Sequence, residues 1–434
     1  MLNVGIIGAS FARDAYLPAF AHMKGAKVVA LASSRLDSAK AAAAPHGITA
    51  IYDDWEKMLS ENVLDLVCIA TPTSMHAPMV LAAFASGAHV LCEKPTALNA
   101  VEARDMLGAA RKANRLHMID HELRFNPTRA RIAELIQGGE LGDIRHVNIT
   151  NIGASWANPA SRPKGDWWSD STMGGGRMGA NGSHQVDMLR WWLGEPTSVI
   201  GQALTVIPDR ICKNTGEAWT ATSDDLSHFT LEMETGTLAQ VFMSGVAIAN
   251  MGNETQVFGS KGTITLSNGD EKLYFAKAGE SFKDISVEDP HSKLDGLNKG
   301  IWNVSVLAAL QELTAAITED RGLNRGASFV DGLRNQLVVD AVFAWLKAGY
   351  GRSIEFCMNA PWVVVIGFVS LLVACYVLFK GIPSEYAPRE DRGVFYLMVL
   401  LLLASGLDYV TAWSATAAAL NNLGPGLGAV ATNY

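Results

Sequence analysis

The stretch Ala88-His89-Val90-Leu91-Cys92-Glu93-Lys94-Pro95 decides the reading of this chain: an apolar, strand-like run ends in a Glu-Lys-Pro triplet, and a well-signalled helix follows. In an open parallel sheet the ligand crevice lies beyond the carboxyl ends of the strands, so Glu93 and Lys94 are expected at its mouth. Working outward, short apolar runs at residues 4–7, 27–32, 65–70 and 116–119 alternate with helical patterns. That alternation predicts a parallel sheet with right-handed crossovers. Ser74 is placed to cap a helix that stops at Gly87, and Asn99 with Glu102 three residues later reads as a capping-box variant.

The first strand turns at Gly8-Ala9-Ser10-Phe11-Ala12-Arg13, where a dinucleotide fold carries G-x-G-x-x-G. Gly8, Ser10, Phe11 and Ala12 are therefore candidate cofactor contacts. Ser10 keeps a small side chain where a pyrophosphate must approach, and Arg13 replaces the glycine that normally lets helix and strand pack closely. Taken alone, an ordinary strand-to-helix turn explains this stretch equally well. The second strand ends at Ser33-Ser34-Arg35. An acidic residue there would bind the ribose 2′-hydroxyl of NAD, whereas an arginine would accept a 2′-phosphate, so Ser34 and Arg35 favour NADP slightly over NAD. The plain alternative is an Arg35–Asp37 pair on a solvated turn. Thr71, Pro72 and His76, at a strand end that enters a helix, join Glu93 and Lys94 in the cofactor set. A lone Lys-Pro on a loop is usually just solvated; its place downstream of two cofactor signals raises the functional reading of Lys94.

The totals bound the class. A length of 434 residues with 49% hydrophobic composition allows two or three domains with a sizeable core. A net charge of -8 without a long Lys/Arg run argues against nucleic acid as a partner and favours a small molecule. The cysteines Cys68, Cys92, Cys212, Cys357 and Cys375 have no metal-ligand or disulfide spacing, so no metal is expected and a reducing, cytoplasmic setting fits. The chain opens directly on a strand-like run, with no basic region or cleavable apolar core ahead of it.

From about residue 125 to 356 the pattern changes. β-rich runs at 144–152, 199–207, 226–231, 238–246 and 262–266 predict an antiparallel sheet, and helical patterns at 302–319 and 328–348 follow. The fold class is thus an α/β Rossmann-type dinucleotide-binding domain at 1–122 and an α+β domain with a large, mostly antiparallel sheet at 123–356.

Over residues 1–356 the sequence resembles the glucose-fructose oxidoreductase and inositol dehydrogenase family, Gfo/Idh/MocA. The resemblance rests on Val4-Gly5-Ile6-Ile7-Gly8, Ala70-Thr71-Pro72 with His76, Leu91-Cys92-Glu93-Lys94-Pro95, Arg124-Phe125-Asn126-Pro127, and Gly174-Gly175-Gly176 followed by His184 and Asp187. It implies an NAD(P)-binding first domain, and a second domain whose sheet forms the substrate pocket and often an oligomer interface, hence a homo-oligomer. The expected activity is hydride transfer on a sugar, cyclitol or related polyol or carbonyl compound. Such chemistry needs a base at the hydroxyl proton, and Lys94 and His184 are the candidates. His184 is expected to start a helix capped by Asn181 or Ser183, where the helix terminus favours a neutral imidazole. In the family's dehydrogenases an aspartate stands four residues before this histidine; here that position is Ala180. A non-catalytic ligand-binding module of the same fold therefore stands as the alternative. Asp187 reads as structural, a helix-surface partner of Arg190. Trp156, Trp167 and Trp168 can line a carbohydrate pocket or pack in the core.

After residue 356 only seven Asp, Glu, Lys or Arg residues remain, and residues 362–379 carry no charge. That run is long enough to span a bilayer, so the tail is expected to attach the intact chain to the cytoplasmic membrane. Residues 357–395 resemble a helix and outer loop of a resistance-nodulation-division efflux pump, and 396–434 a filter-loop repeat of Trk/Ktr potassium transporters. One piece of each cannot transport anything.

Overall fold

The computed structural model describes residues 1–267, 271–297 and 301–359. The chain divides into two compact units, Met1–Gly349 and Tyr350–Tyr434. The uncharged run 362–379, and both transporter-like stretches apart from residues 357–359, lie outside the described residues. Among the described residues no helix is long and apolar enough to cross a membrane.

The first sheet is built from β1 (Leu2–Ile7), β2 (Ala26–Ala32), β3 (Ala50–Tyr52), β4 (Leu66–Ile69), β5 (His89–Cys92) and β6 (His117–Ile119). All neighbours pair parallel, in the order β3-β2-β1-β4-β5-β6. Parallel sheets are covered on both faces, so their strands read as continuous apolar runs; every residue of β4 is buried. The order reverses between β1 and β4, the topological switch point at which such sheets bind ligands. The short β3 has only partly buried residues, so its sequence lacks the apolar run that marks the others.

Asn99 caps the helix Ala100–Ala113 as expected: its Oδ1 accepts from the amides of Val101 and Glu102, and Glu102 Oε2 accepts from Leu98 N. Ser74 caps nothing. A 3-10 turn, Thr73–Met75, runs directly into the helix His76–Ala85, and the Ser74 hydroxyl turns to the Met173 sulfur at 3.5 Å.

The second sheet comprises β7 (Ile144–Ile152), β8 (Pro196–Leu204), β11 (Leu226–Met233), β12 (Leu238–Ser244), β13 (Gly252–Gly259), β14 (Gly262–Ser267), β15 (Lys272–Lys277) and β16 (Lys283–Asp284). The small strands β9 (Asp209–Ile211) and β10 (Ala218–Thr220) pair by themselves. The large sheet runs β16-β15-β14-β13-β7-β12-β11-β8, antiparallel except for the parallel pair β7·β12, and is therefore mixed. Ser227, Phe229, Leu231 and Met233 of β11 and Ala239, Val241 and Met243 of β12 are buried on one face, the period-two signature of a sheet with one covered side. The helix Ser183–Leu193 covers that face with Val186, Met188, Leu189 and Trp192.

Two later helices tie the unit together. Val306, Leu307, Leu310 and Leu313 of Ile301–Thr318 join the core cluster of Tyr16, Leu17 and Phe20 beside the first sheet. Along Phe329–Asn359, Phe329 packs edge-on against Phe84 of the first domain, while Val338, Val339 and Val342 belong to the core under the second sheet. Fully burying one such side chain contributes roughly 1.5–3 kcal/mol, so the second of these helices, packed into the cores under both sheets, links them.

Candidate functional site

The turn after β1 requires its glycine. Gly8 has φ +108, and a Cβ there would lie 2.1 Å from the Ala70 carbonyl oxygen at the end of β4. The backbone thus stays open at the switch point, where a pyrophosphate has to approach closely. Ser10 is exposed at the start of the following helix, Phe11 is half-buried with its ring edge-on to Tyr16 at 5.2 Å, and Ala12 is fully buried. Arg13 does not block packing. The turn widens into a π-helix, Ala12–Tyr16, which sends the Arg13 guanidinium outward to Asp14 at 2.8 Å and leaves Ala9 and Ala12 against the sheet. Ser34 and Arg35 stand exposed beyond β2, and Arg35 joins no ion pair among the described residues, Asp37 included. Thr71 and Pro72 are half-buried at the end of β4. His76 is fully buried, with Nε2 3.0 Å from Thr71 O and Nδ1 3.0 Å from Pro95 O. Burial lowers its pKa, and a neutral ring can donate to only one of these two carbonyls.

Beyond β5 and β6 lies a nest of acids. The Tyr16 hydroxyl reaches Glu93 Oε1 at 3.0 Å and Asp120 Oδ2 at 2.9 Å, all three groups being buried. A phenol has one proton to give, so one of the two carboxyls must itself be protonated and donate to the tyrosine oxygen. Burial accordingly raises both carboxyl pKa values. Glu93 therefore faces inward, while its neighbour Lys94, half-buried, extends to the Ala180 carbonyl, Nζ donating at 3.3 Å.

Glu122 and His184 complete this neighbourhood. His184 Nε2 lies 4.0 Å from Glu122 Oε1, and its ring meets His121 edge-on at 5.5 Å. Burial pushes the Glu122 carboxyl up to about 8, against the pull of the Lys94 charge. Burial, then Lys94, then His121 depress His184 well below the usual imidazole range, and burial takes His121 down to about 4. Both rings are neutral at pH 7, but the reason for His184 is not the expected one. A π-helix, Met178–Gly182, leads directly into Ser183–Leu193, so His184 sits at no free helix terminus. Neither Asn181 nor Ser183 caps it, the Ser183 hydroxyl donating instead to Gly179 O at 2.6 Å. Asn335 Nδ2 donates to His121 Nε2 at 3.2 Å and to Ser183 O at 2.8 Å, joining the two segments from a third.

Asp187 is structural, with a different partner from the one anticipated. Arg124, from the 3-10 turn after β6, donates Nε to Asp187 Oδ2 at 2.8 Å and Nη2 to Oδ1 at 2.7 Å; Arg190 turns to Glu195 at 2.7 Å instead.

In front of Lys94 opens a cavity of about 250 Å³ lined by Lys94, Ser155, Trp156, Arg162, Trp168, Arg177, Ala180 and Asn181. Trp156 and Trp168 thus reach it, whereas Trp167 stacks behind Trp168 at 4.2 Å. Gly175 seats this loop, since a Cβ there would fall 2.3 Å from Trp167 O. His184, fully buried, is not part of the wall. Sequence reasoning passed over Glu122 and Arg177. The first stands just past β6 as Glu93 stands past β5, the same strand-end signal; the second directly follows the glycine triplet.

A parallel sheet of this order, with a glycine-cradled turn at its switch point and a second, mixed sheet alongside, defines a two-domain protein whose first domain has the dinucleotide-binding architecture. Residues 2–121 match the oxidoreductase family with NAD-binding Rossmann fold, and residues 130–265 the GFO/IDH/MocA C-terminal domain. Over these residues the chain belongs to the Gfo/Idh/MocA oxidoreductases. Residues 331–421 match the AcrB/AcrD/AcrF family. Levoglucosan dehydrogenase of Pseudarthrobacter phenanthrenivorans is 31% identical over 225 residues, which is 50% of this chain and 57% of that enzyme. An uncharacterised oxidoreductase of Synechocystis sp. is 28% identical over 276 residues, 63% of this chain and 73% of that protein. Among solved structures, levoglucosan dehydrogenase in complex with NADH and L-sorbose aligns with a TM-score of 0.72 at 25% identity, covering 79% of this chain and 96% of that one.

Proposed function

We propose that the chain is a nicotinamide-dependent dehydrogenase of a sugar or related polyol, with Lys94 as the base at the reacting hydroxyl. The observation that carries this is the placement of Lys94 Nζ at a cavity walled by two indoles, with a single strand, β4, between β5 and the strand that ends in the glycine-cradled turn. Gly8, Ser10, Phe11 and Ala12 would hold the pyrophosphate and its flanks, Ser34 and Arg35 the adenosine ribose, and Thr71, Pro72 and His76 the segment towards the nicotinamide. NAD or NADP supplies hydride acceptance or donation when bound. The exposed Arg35 favours NADP, and the NADH-bound relatives favour NAD; comparing NADH and NADPH affinities of the purified chain decides it.

The protein's own work is proton handling. Ala180 offers no carboxylate, but Glu122, in the field of Lys94 and beside His184, takes that place: with a pKa of about 8 it can trade a proton near neutrality. His184 positions Glu122 from within the core rather than meeting substrate. The open face of the second sheet is the proposed contact between copies of the chain. The uncharged run 362–379, with the efflux-family match over it, supports membrane attachment of the intact chain, which fractionation tests. Fluorescence titration with both reduced cofactors, then spectrophotometric assay with levoglucosan, D-glucosides and inositols, tests the main reading; failure of both cofactors to bind refutes it.

A further inference from the structure

The cavity beside Lys94 has an unusual charge balance. Three of its eight lining residues, Lys94, Arg162 and Arg177, are cations and none is Asp or Glu, in a chain whose net charge is -8. Their partners differ. Arg162 is paired, Nη1 to Asp166 Oδ2 at 2.9 Å. Lys94 Nζ donates to the Ala180 carbonyl and has no carboxylate within ion-pair distance among the described residues. Arg177 is only 9% exposed, and its Nη2 donates to two neutral acceptors, Asn151 Oδ1 and Ser244 O. Its Nε is buried with no hydrogen-bond partner among the described residues, and the buried acid whose charge reaches it, Asp224, makes no ion pair with it among them and accepts from Met178 N instead. A buried guanidinium without a hydrogen-bonded counter-ion is costly unless an anion arrives to complete it. Guanidinium and carboxylate also match each other as planar, two-pronged partners. Ala180, at the same wall, adds no negative charge to compete.

We propose that this cavity takes a monosaccharide bearing a carboxylate, of the uronic or aldonic acid class, with Arg177 holding the carboxylate and Trp156 and Trp168 flanking the sugar. The proposal deepens the dehydrogenase reading and rests on it for the site. At about 250 Å³ the space is below the roughly 300–1,000 Å³ of cavities that take drug-sized ligands, which fits a single sugar unit rather than an oligosaccharide. The carboxylate neutralises Arg177 in the cavity wall while the reacting hydroxyl faces Lys94.

Isothermal calorimetry on the full chain with D-glucuronate and D-galacturonate, against D-glucose, D-galactose and D-glucose 6-phosphate at fixed ionic strength, tests this. A uronate should bind at least about tenfold more tightly than its neutral hexose, the scale of one charge-assisted contact. R177Q should erase that preference, and R177K should keep part of it. A180D, which places a carboxylate in the wall without touching Arg177, should weaken uronate binding independently of any folding defect in the arginine variants. Equal binding of neutral hexoses, tighter binding of the phosphate ester, absence of uronate binding, or an R177Q variant that folds and keeps the preference overturns the proposal. Turnover is followed separately through NADH absorbance. Uronate binding without oxidation keeps this inference and removes the dehydrogenase reading; oxidation of neutral sugars alone does the reverse.

Discussion

The Arg124–Asp187 pair makes a sharp prediction, because both side chains are almost fully removed from water, 8% and 0% exposed, and their two hydrogen bonds are 2.8 and 2.7 Å long. Replacing Asp187 with asparagine keeps the shape and removes the charge, stranding the Arg124 guanidinium. Breaking a buried pair from one side costs roughly 3–5 kcal/mol. Asp331, 3.4 Å from the same guanidinium and 29% exposed, offsets part of this, so the expected cost is about 3 kcal/mol, the lower end of that range. Burial alone would lower the Arg124 pKa, and Asp187 with Asp331 more than reverses it, the sign expected of a pair that stabilises the cation. With a urea m-value of about 3 kcal/mol/M, the midpoint followed by tryptophan fluorescence falls by about 1 M. The double variant R124M/D187L strands no charge and should cost clearly less than the two single variants together. A D187N variant within about 1 kcal/mol of the parent, or a double variant that costs the full sum, refutes the reasoning.

Glu122 gives a pH signature. Its carboxyl moves from an ordinary 4.5 up to about 8 in the fold, so between those values the native state holds a proton the unfolded chain has released. Stability therefore falls as pH rises through that window, by at most about 1.4 kcal/mol per unit from this group. E122Q should flatten the slope of urea midpoint against pH, and an unaltered slope contradicts the assignment. K94M should reduce turnover about 10²–10⁴-fold while leaving NADH affinity within about tenfold of the parent, as expected when a base is removed from a formed site; equal loss of both would make Lys94 a binding residue only. G8A forces a Cβ to 2.1 Å from Ala70 O at φ +108, so cofactor binding should be lost or the fold weakened. Full NADH affinity with unchanged thermal stability would show that the turn relaxes freely.

What could be read from the sequence and what could not have physical reasons. β5 and its Glu-Lys-Pro end were legible because a strand buried on both faces leaves an unbroken apolar run and an abrupt polar stop. β13 was not: of its eight residues, only Val257 and Phe258 are large and apolar, and its inward Thr255 looks like a loop residue until β7 and β14 flank it. The cap assigned to His184 failed because a π-turn has no sequence signal comparable to a Ser or Asn cap, so the helix was started too late. Lys94 was singled out by its place after β5 and by the Glu-Lys-Pro motif. The acids behind it, Asp120 and Glu122, were not, since only the parallel pairing of β5 with β6 brings residues from the two strand ends together. Arg177 directly follows a quoted motif, yet its burial against the neutral acceptors Asn151 and Ser244 is a property of packing, which no local pattern contains.

The efflux-family match begins at residue 331, inside a segment that the oxidoreductase fold uses. Asp331 Oδ2 accepts from Ser328 N and Oγ at 2.8 Å and its Oδ1 faces Arg124; Asn335 ties His121 to Ser183; Asp340 Oδ2 accepts from Ala100 N at 2.7 Å. Asn335 is 2% exposed, so removing it would leave buried polar groups on two other segments without partners, at about 1–3 kcal/mol each. A chain ending after residue 330 should therefore fail to fold, whereas one ending after residue 359 should keep the cofactor affinity and thermal transition of the parent's first unit. Circular dichroism melting and NADH titration of the two truncations check this. A folded, cofactor-binding 1–330 would mean that these contacts are dispensable and that the helix belongs with the tail; a 1–359 chain that does not fold would mean that the later residues support the site.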